Sequence, residues 1–490
     1  MGSLVAVPVV APLATAAVLL AFARRRALRR VAGLVASGVV LVAAVCLLIM
    51  ARDGSALAVR IGGWAPVAAI GFAADTFTAL MLCATALVVL VCLSSAAATG
   101  QDGHPFFVPL ALVLAAGANG ALLTVDLFNL FVLIEVMLVP SYVLLALRGE
   151  ARDMKASRVY VATNLLASTL LLTGVGLLYG VSGSVQLAEL VGAGRESSQV
   201  AVAGGLVLVA LAVKSAVVPV HAWLPHSYSD APPVVVALFS GLLTKVGLYA
   251  FIRVFAVLYG GAEDYLWIIG VVALVSMVVG VLGAVGEHSM RRILSFHMVS
   301  QIGYVLLGLA LFTEASLTAA IFYLVQYILV KAALFLTVAA VHADYGTDRL
   351  ASLGGLAATR PILAMSFAGA ALSLAGLPPF SGFLAKFLLI RAAVDSGAWL
   401  AVVVALGVSL LTLTSMLKIW GSVFWGPPGS AQPVALGERA RTWATASALT
   451  LAVVTLLLGL AAQPLLVLSG EAATGLTDPV EHPRVGREAE

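Results

Sequence analysis

Charge is what this sequence has least of. Only 10% of its 490 residues are Asp, Glu, Lys or Arg, whereas 62% are hydrophobic. About a quarter of a soluble domain is charged, so this chain lacks the polar side chains needed to cover a water-facing surface. The same scarcity, with a net charge of only +4, excludes a disordered chain, a coiled coil and a nucleic-acid binder. Cysteine is nearly absent too. Cys46, Cys83 and Cys92 stand in apolar runs, with no CxxC pair and no His at ligand spacing, which excludes a disulfide framework and a zinc or iron–sulfur centre. No metal site and no cofactor are expected. Nor is any stretch between apolar runs long enough to fold as a domain outside a membrane.

In place of these features stand apolar runs of about 20 residues, each able to cross a hydrocarbon core as a helix. Fourteen spans are predicted, at 3–23, 31–50, 71–98, 105–123, 127–147, 159–181, 201–220, 234–258, 266–286, 293–312, 316–341, 362–394, 398–425 and 443–469. The first has no basic residue before it and no small-residue cleavage pattern after it, and reads as a retained helix, not a signal peptide. The expected fold is an all-α polytopic membrane protein. The tail from Gly470, with its Pro, Gly and Glu residues, is expected to be loose. The chain divides into 1–104 (helices 1–3), 105–258 (helices 4–8), 259–425 (helices 9–13) and 426–490 (the last helix and an acidic tail).

The basic residues are sorted. Arg24, Arg25, Arg26, Arg29 and Arg30 follow span 1, and Arg148, Arg152, Lys155 and Arg158 follow span 5. Arg291 and Arg292 follow span 9, Arg349 and Arg360 span 11, and Arg439 and Arg441 span 13. The opposite connections hold only Arg52, Arg60, Arg195, Arg484 and Arg487, with Arg253 and Arg391 near helix ends. The positive-inside rule then places the amino terminus outside, and an even number of spans places the acidic carboxyl end outside as well.

Lysine behaves differently. Of the six lysines only Lys155 lies in a connection; Lys214, Lys245, Lys331, Lys386 and Lys418 lie in apolar spans. Arginine stays protonated in proteins, whereas a desolvated lysine can give up its proton. A chain that uses Arg for topology and Lys at depth looks built for proton exchange. Each charge at the bilayer centre costs about 2.5–3.5 kcal/mol on the insertion scale, so the lysines need a purpose. Lys418 either snorkels from its helix end or joins the others. The alternative for the four deep lysines is a set of structural ion pairs, but acids are too few. Glu135 is the one glutamate well inside a span, and a carboxylate beside a lysine favours the protonated amine. Asp75 and Asp126 read first as helix caps.

Polar groups also recur at helical spacing. His297, Ser300, Gln301 and Tyr304 fall on one face of span 10, and Tyr323, Tyr327 and Lys331 on one face of span 11. Interhelical hydrogen bonding and a hydrated stripe that passes protons are both open readings. His221, seven residues after Lys214 and thus roughly on its face, and His226 suit a proton mouth or are satisfied loop histidines. Pro219 interrupts span 7 close to Lys214, and Pro378, Pro379 and Gly382 interrupt span 12 close to Lys386. Broken helices at matching places in two halves point to a transport path. Their offset of five spans makes the halves inverted copies.

HAWLPHSYSDAPPVVVALFSGLLTKVGLYAFIRVF, RRILSFHMVSQIGYVLLGL, LAGLPPFSGFLAKFLLIRA and SMLKIWGSVFW carry a resemblance to the proton-translocating antiporter family. That family comprises the antiporter-like subunits of respiratory complex I and the A and D subunits of Mrp-type multisubunit sodium/proton antiporters. The resemblance spans about residues 60–425. Within the family the chain looks most like the D-type subunits: it has no room for the carboxy-terminal extension of A, and Lys386 stands where one complex I subunit has Glu. The resemblance implies fourteen helices, inverted five-helix repeats and broken helices 7 and 12. Matched motif by motif, it makes Glu135 the helix-5 glutamate, Lys214 the helix-7 lysine, Lys245 the central helix-8 lysine and Lys386 the helix-12 lysine. Lys331 matches a helix-11 motif often written with His where this chain has Gln326, which cannot carry a proton. It further implies a bacterial cell (inner) membrane, partner subunits of A, B, C, E, F and G type, membrane lipid around them, and protons and sodium as the ions moved.

Two other readings stand beside an antiporter subunit. A membrane subunit of an NADH–quinone oxidoreductase would carry the same lysines, but no dinucleotide fingerprint is present; Gly174, Gly176 and Gly180 read as close helix packing. A passive scaffold would require a fixed acidic partner for each lysine.

Overall fold

The computed structural model describes residues 2–22, 25–52, 56–61, 70–147, 151–434 and 437–477. Arg24, Arg148 and the terminal charges Asp478, Glu481, Arg484, Arg487, Glu488 and Glu490 lie outside the described residues, as do the side chains of Arg152 and Lys155. The chain is helical almost throughout: α1 (Gly2–Ala21), α2 (Arg26–Met50), α3 (Thr76–Thr99), α4 (Phe107–Leu123), α5 (Leu127–Ala146), α6 (Ala151–Ser182), α7 (Ser198–Lys214), α8 (Pro233–Tyr259), α9 (Glu263–Gly286), α10 (Met290–Leu311), α11 (Glu314–Tyr345), α12 (Pro361–Ala375), α13 (Ser381–Asp395), α14 (Trp399–Ile419), α15 (Glu438–Leu460) and α16 (Gln463–Thr477). Among the described residues, two strands, β1 (Leu57–Ile61) and β2 (Ile70–Ala74), pair antiparallel, with Leu57 opposite Ala74 and Ile61 opposite Ile70.

Among the described residues, eleven helices are long and apolar enough to cross a membrane. The count becomes twelve if Leu187–Glu196 and Ser198–Lys214, bent by 118° at their junction, form one span; Phe107–Leu123 and Pro361–Ala375 are shorter apolar helices. The helices differ in how far their neighbours enclose them. The membrane windows of α8 and α11 are 100% buried, while α1, α2, α6, α9, α14 and α15 form the rim at 33–39%. Lys245 and Lys331 therefore ride on the two innermost helices.

The end of the chain differs from expectation. A single last span at 443–469 does not form; α15 stops at Leu460 and α16 begins at Gln463. Pro464 cannot donate to the preceding turn, so the ladder breaks there. The tail beyond Gly470 is not loose up to Thr477. Leu465, Leu468, Ala472, Ala473 and Leu476 are buried on one face of α16, which lies against α11 and α3. Composition pointed to a tail, but the spacing of these apolar residues decides for a helix.

The basic connections gather on one face of the bundle. Arg26 and Arg30 both hold Asp102, across the connections after α1 and α3. Arg291 holds Asp348 at 3.0 Å, and Arg360 and Arg441 share Asp344. Burial alone would push the Asp348 carboxyl up. Hydrogen bonds and charge from Arg291, with help from Ser289, outweigh that and hold it down at about 2. The opposite face has its own ties: Asp75 with Arg253, and the Thr474 hydroxyl donating to Glu314 at 3.3 Å. Asp75 and Asp126 do cap helices, accepting from the backbone N–H of Thr78 (2.9 Å) and Asn129 (2.6 Å) at the starts of α3 and α5. Arg253, read as a helix-end residue, is buried within α8 and bonded to Asp75, Tyr249 and Thr78.

Candidate functional site

The site begins where α7 ends. Lys214 is the last residue of α7, and Ala216 follows with φ +57°, a left-handed turn that stops the helix ahead of Pro219. Lys214 Nζ donates to Ser168 Oγ at 2.7 Å and to the Asn164 carbonyl at 3.4 Å, and lies 3.9 Å from Glu135 Oε1. The Ser168 hydroxyl donates in turn to Glu135. Lys214 and Glu135 are thus joined through a serine on α6. Lys214 is buried, while 25% of the Glu135 side chain remains exposed.

The second break repeats this logic. α12 ends at Ala375, Gly376 takes φ +88°, and α13 starts at Ser381. Lys386 Nζ donates to the Ala375 carbonyl at 3.1 Å, at the open end of a half-helix. Two glycines make the crossing possible. A Cβ on Gly382 would lie 1.8 Å from the Ser373 carbonyl oxygen, and one on Gly376 2.7 Å from Lys386 Cδ. Lys386 Nζ also lies 4.8 Å from the centre of the Tyr304 ring.

Between the breaks lie the two central lysines. Lys245 Nζ donates to Thr244 Oγ1 at 3.1 Å and sits 4.2 Å from the Tyr327 ring centre. Lys331 Nζ donates to the Leu294 carbonyl at 3.0 Å. Among the described residues, Lys245, Lys331 and Lys386 have no carboxylate within ion-pair distance; Glu135 is the only acid beside a deep lysine. A scaffold of fixed ion pairs requires the opposite arrangement.

The polar stripe divides. His297 Nε2 meets Ser415 Oγ at 2.5 Å, Tyr304 donates to the Ala405 carbonyl at 2.6 Å and meets Ser409 at 2.9 Å, and Tyr323 donates to Gln301. Tyr327 donates to the Met298 carbonyl at 3.0 Å, and Tyr304 and Tyr323 stack with ring centres 5.5 Å apart. Ser300 turns away and donates to the Met277 carbonyl on α9 at 2.9 Å, where Gly280 lets the two helices touch. His297 Nδ1, Gln301 Nε2 and Gln326 Oε1 are buried with no protein partner; such atoms in protein interiors are normally satisfied by water.

His221 and His226 lie in the connection after the α7 break. His226 is exposed and bonds its Nδ1 to the Ala222 carbonyl at 2.7 Å, while the Nδ1 of half-buried His221 has no partner. The expectation that His221 shares a helical face with Lys214 fails, because α7 stops at Lys214 and a helical count cannot run past Pro219. Lys418 resolves as a cap, donating to the Val285 (3.0 Å) and Glu287 (2.7 Å) carbonyls at the end of α9. Sequence reasoning missed Asn164 and Ser168 on α6 and Ser409 and Ser415 on α14. The signal for the first pair was present: Tyr160, Asn164 and Ser168 recur every four residues in an apolar helix. Among the described residues, no group of three His, Cys, Asp or Glu side chains could hold a metal ion.

Residues 124–412, which hold every lysine of this row, match the family described as NADH:quinone oxidoreductase/Mrp antiporter, transmembrane region. The chain belongs to this family. The NADH:quinone oxidoreductase/Mrp antiporter family has members in both kinds of complex, and similarity is uneven between them. The D subunit of the Na(+)/H(+) antiporter of Alkalihalophilus pseudofirmus is 38% identical over 98% of both chains. Its counterpart of the same name in Bacillus subtilis is 35% identical over 87% of this chain and 88% of its own. A chain of the Mrp complex from Dietzia sp. DQ12-45-1b superposes with a TM-score of 0.95 at 47% identity, covering 98% of this chain and 99% of its own. A chain of respiratory complex I from Thermus thermophilus superposes less closely, with a TM-score of 0.77 at 28% identity, over 95% and 99%.

Proposed function

We propose that this chain is the D-type, proton-translocating subunit of an Mrp-type multisubunit sodium/proton antiporter, acting as a transporter subunit and not as an enzyme. The single observation that carries the reading is the row Glu135–Ser168–Lys214, Lys245, Lys331 and Lys386, in which three of the four amines lack an acid among the described residues. An unpaired amine in a low-dielectric interior can exist neutral or charged, and like charges along the row repel. A proton taken up at one end therefore favours release further along. The proton mouth is at His221 and His226, below the first break. Lys214 receives the proton with Glu135 favouring its charged form, Lys245 and Lys331 pass it through water bound near Gln301, Gln326 and His297, and Lys386 releases it at the second break. The two breaks, each with a lysine at the carbonyl end of a half-helix, support a pair of inverted repeats, 105–258 and 259–425. The face that gathers the arginines is the cytoplasmic one by charge, which leaves the amino terminus outside a bacterial cell membrane. Partner subunits of A, B, C, E, F and G type complete the assembly, and sodium moves against the proton.

The complex I reading fits less well, because similarity is greater to the antiporter chains over nearly the whole length. The test replaces Glu135 or Lys386 with Ala in the complete assembly and measures sodium-driven pH change in inverted vesicles. Loss of the signal with normal assembly is expected; an unimpaired signal rejects the scheme.

A further inference from the structure

Far from the lysine row, α12 and α15 diverge at the face that gathers the arginines and leave a groove of about 460 Å³. Its mouth is polar, lined by Arg360, Arg441 and Thr442, and its inner wall is apolar, lined by Ile362, Ala446 and Leu449. Leu449 is eight residues along α15 from Arg441, so the apolar wall runs about 12 Å into the membrane from the charged mouth. Trp443, near the start of α15, and Trp425, just past the end of α14, are 57% and 78% exposed. Exposed tryptophans in a membrane protein mark the headgroup level.

The charges at the mouth do not cancel where a ligand would meet them. Asp344 serves both guanidiniums, bonding Arg360 and lying 3.2 Å from Arg441 Nε, and its own side chain is 4% exposed. A third of the Arg441 side chain stays exposed (33%), and exposed Arg439 flanks it. Glu438, exposed at the rim, is the one carboxylate in the lining. Arg360 spends its guanidinium on Asp344 and Thr445, and Arg441 gives one nitrogen to the Val434 carbonyl, so an approaching group meets mainly the remaining exposed edge of Arg441 above a hydrocarbon wall. Basic pockets between helices at a membrane edge suit anionic headgroups, and planar guanidinium suits a phosphodiester.

We propose that this groove binds one anionic phospholipid, its phosphodiester held by Arg441 with the charge of Arg360 behind it and one acyl chain laid along Ile362, Ala446 and Leu449. A free phosphate would leave the apolar wall uncovered, and a zwitterionic lipid would bring its own cation against Arg441.

The test uses the purified complete assembly in nanodiscs, with photoactivatable phosphatidylglycerol or phosphatidylcholine of identical chains, and maps the labelled peptides. Phosphatidylglycerol is expected to label the segments around 360–363 and 438–449 in preference to phosphatidylcholine. Replacing Arg441 with Gln should lower that labelling about fivefold, the attraction contributed by one basic residue near an anionic headgroup. Replacing Leu449 with Trp fills the groove without touching the Asp344 cluster, and should abolish the same labelling even if Arg441→Gln disturbs the fold. Equal labelling by both lipids, no labelling of these segments, displacement by inorganic phosphate, or wild-type labelling of Leu449→Trp would each overturn the proposal.

Discussion

Replacing Ser168 with Ala isolates the link between Lys214 and Glu135. The amine and the carboxylate are 3.9 Å apart, too far for a direct hydrogen bond, and the serine bridges them. At an effective dielectric of about 20, charges at this separation attract by about 4 kcal/mol. A hydrogen bond to a charged group adds about 1.5–3 kcal/mol. Ser168→Ala removes the bridge and keeps the direct attraction, so the charged amine loses a stabilisation equivalent to about ten- to a hundredfold in occupancy. Glu135→Ala removes the larger part, equivalent to about a thousandfold. The ranking is then wild type, Ser168→Ala and Glu135→Ala in decreasing order of sodium-driven proton movement. Ser168→Thr, which keeps the hydroxyl, should stay near wild type. The assay is the pH-probe signal in inverted vesicles carrying the complete assembly, normalised to assembled complex on a native gel. Two results would refute the reasoning: Ser168→Ala turning over like wild type, or Ser168→Thr failing as badly as Ser168→Ala.

Two further expectations test other parts of the structure. Lys331→Arg keeps a cation beside the Leu294 carbonyl but cannot release its proton; sodium-driven proton movement should fall to the level of vesicles lacking the subunit, and a working Lys331→Arg variant would mean that this position supplies only charge. The tie between Arg291 and Asp348 should be insensitive to pH across the physiological range. A carboxyl held at about 2 in the folded chain contributes about 2 kcal/mol that is present above the ordinary carboxylate range and lost as pH falls through about 2. Hydrogen exchange of segments 286–290 and 346–350 should therefore be unchanged between pH 8 and 5 after correction for intrinsic rate, whereas Asp348→Asn should speed it at both.

Much of the site was legible because its residues are costly. A lysine or glutamate in a hydrocarbon span stands out against its neighbours, so Glu135, Lys214, Lys245, Lys331 and Lys386 could be singled out one by one, and the prolines and glycines marked where helices would break. The serines were not legible in the same way. Ser168, Ser409 and Ser415 cost little in an apolar helix, where a hydroxyl can return to its own i−4 carbonyl, and nothing local says which ones turn to a neighbour. Ser300 shows the converse: helical spacing put it in the polar stripe, and the close approach of α9 at Gly280 took it out. His221 was assigned by counting along a helix that ends seven residues earlier. Residues 470–477 were misjudged because composition describes an average, whereas the apolar face of α16 is a matter of spacing.

The sequence by itself determined that this is a helical membrane protein, which residues carry charge at depth, and on which face the arginines gather, because transferring a charge or an unpaired peptide group into hydrocarbon is too unfavourable to be left to context. Only the tertiary structure decided which of those charges meet. Lys214 finds Glu135 through a serine on a third helix, Lys386 finds the end of a half-helix earlier in the chain, and Lys245 and Lys331 find no acid. These contacts join different helices, and their geometry follows from how the helices pack against one another, which no single span encodes.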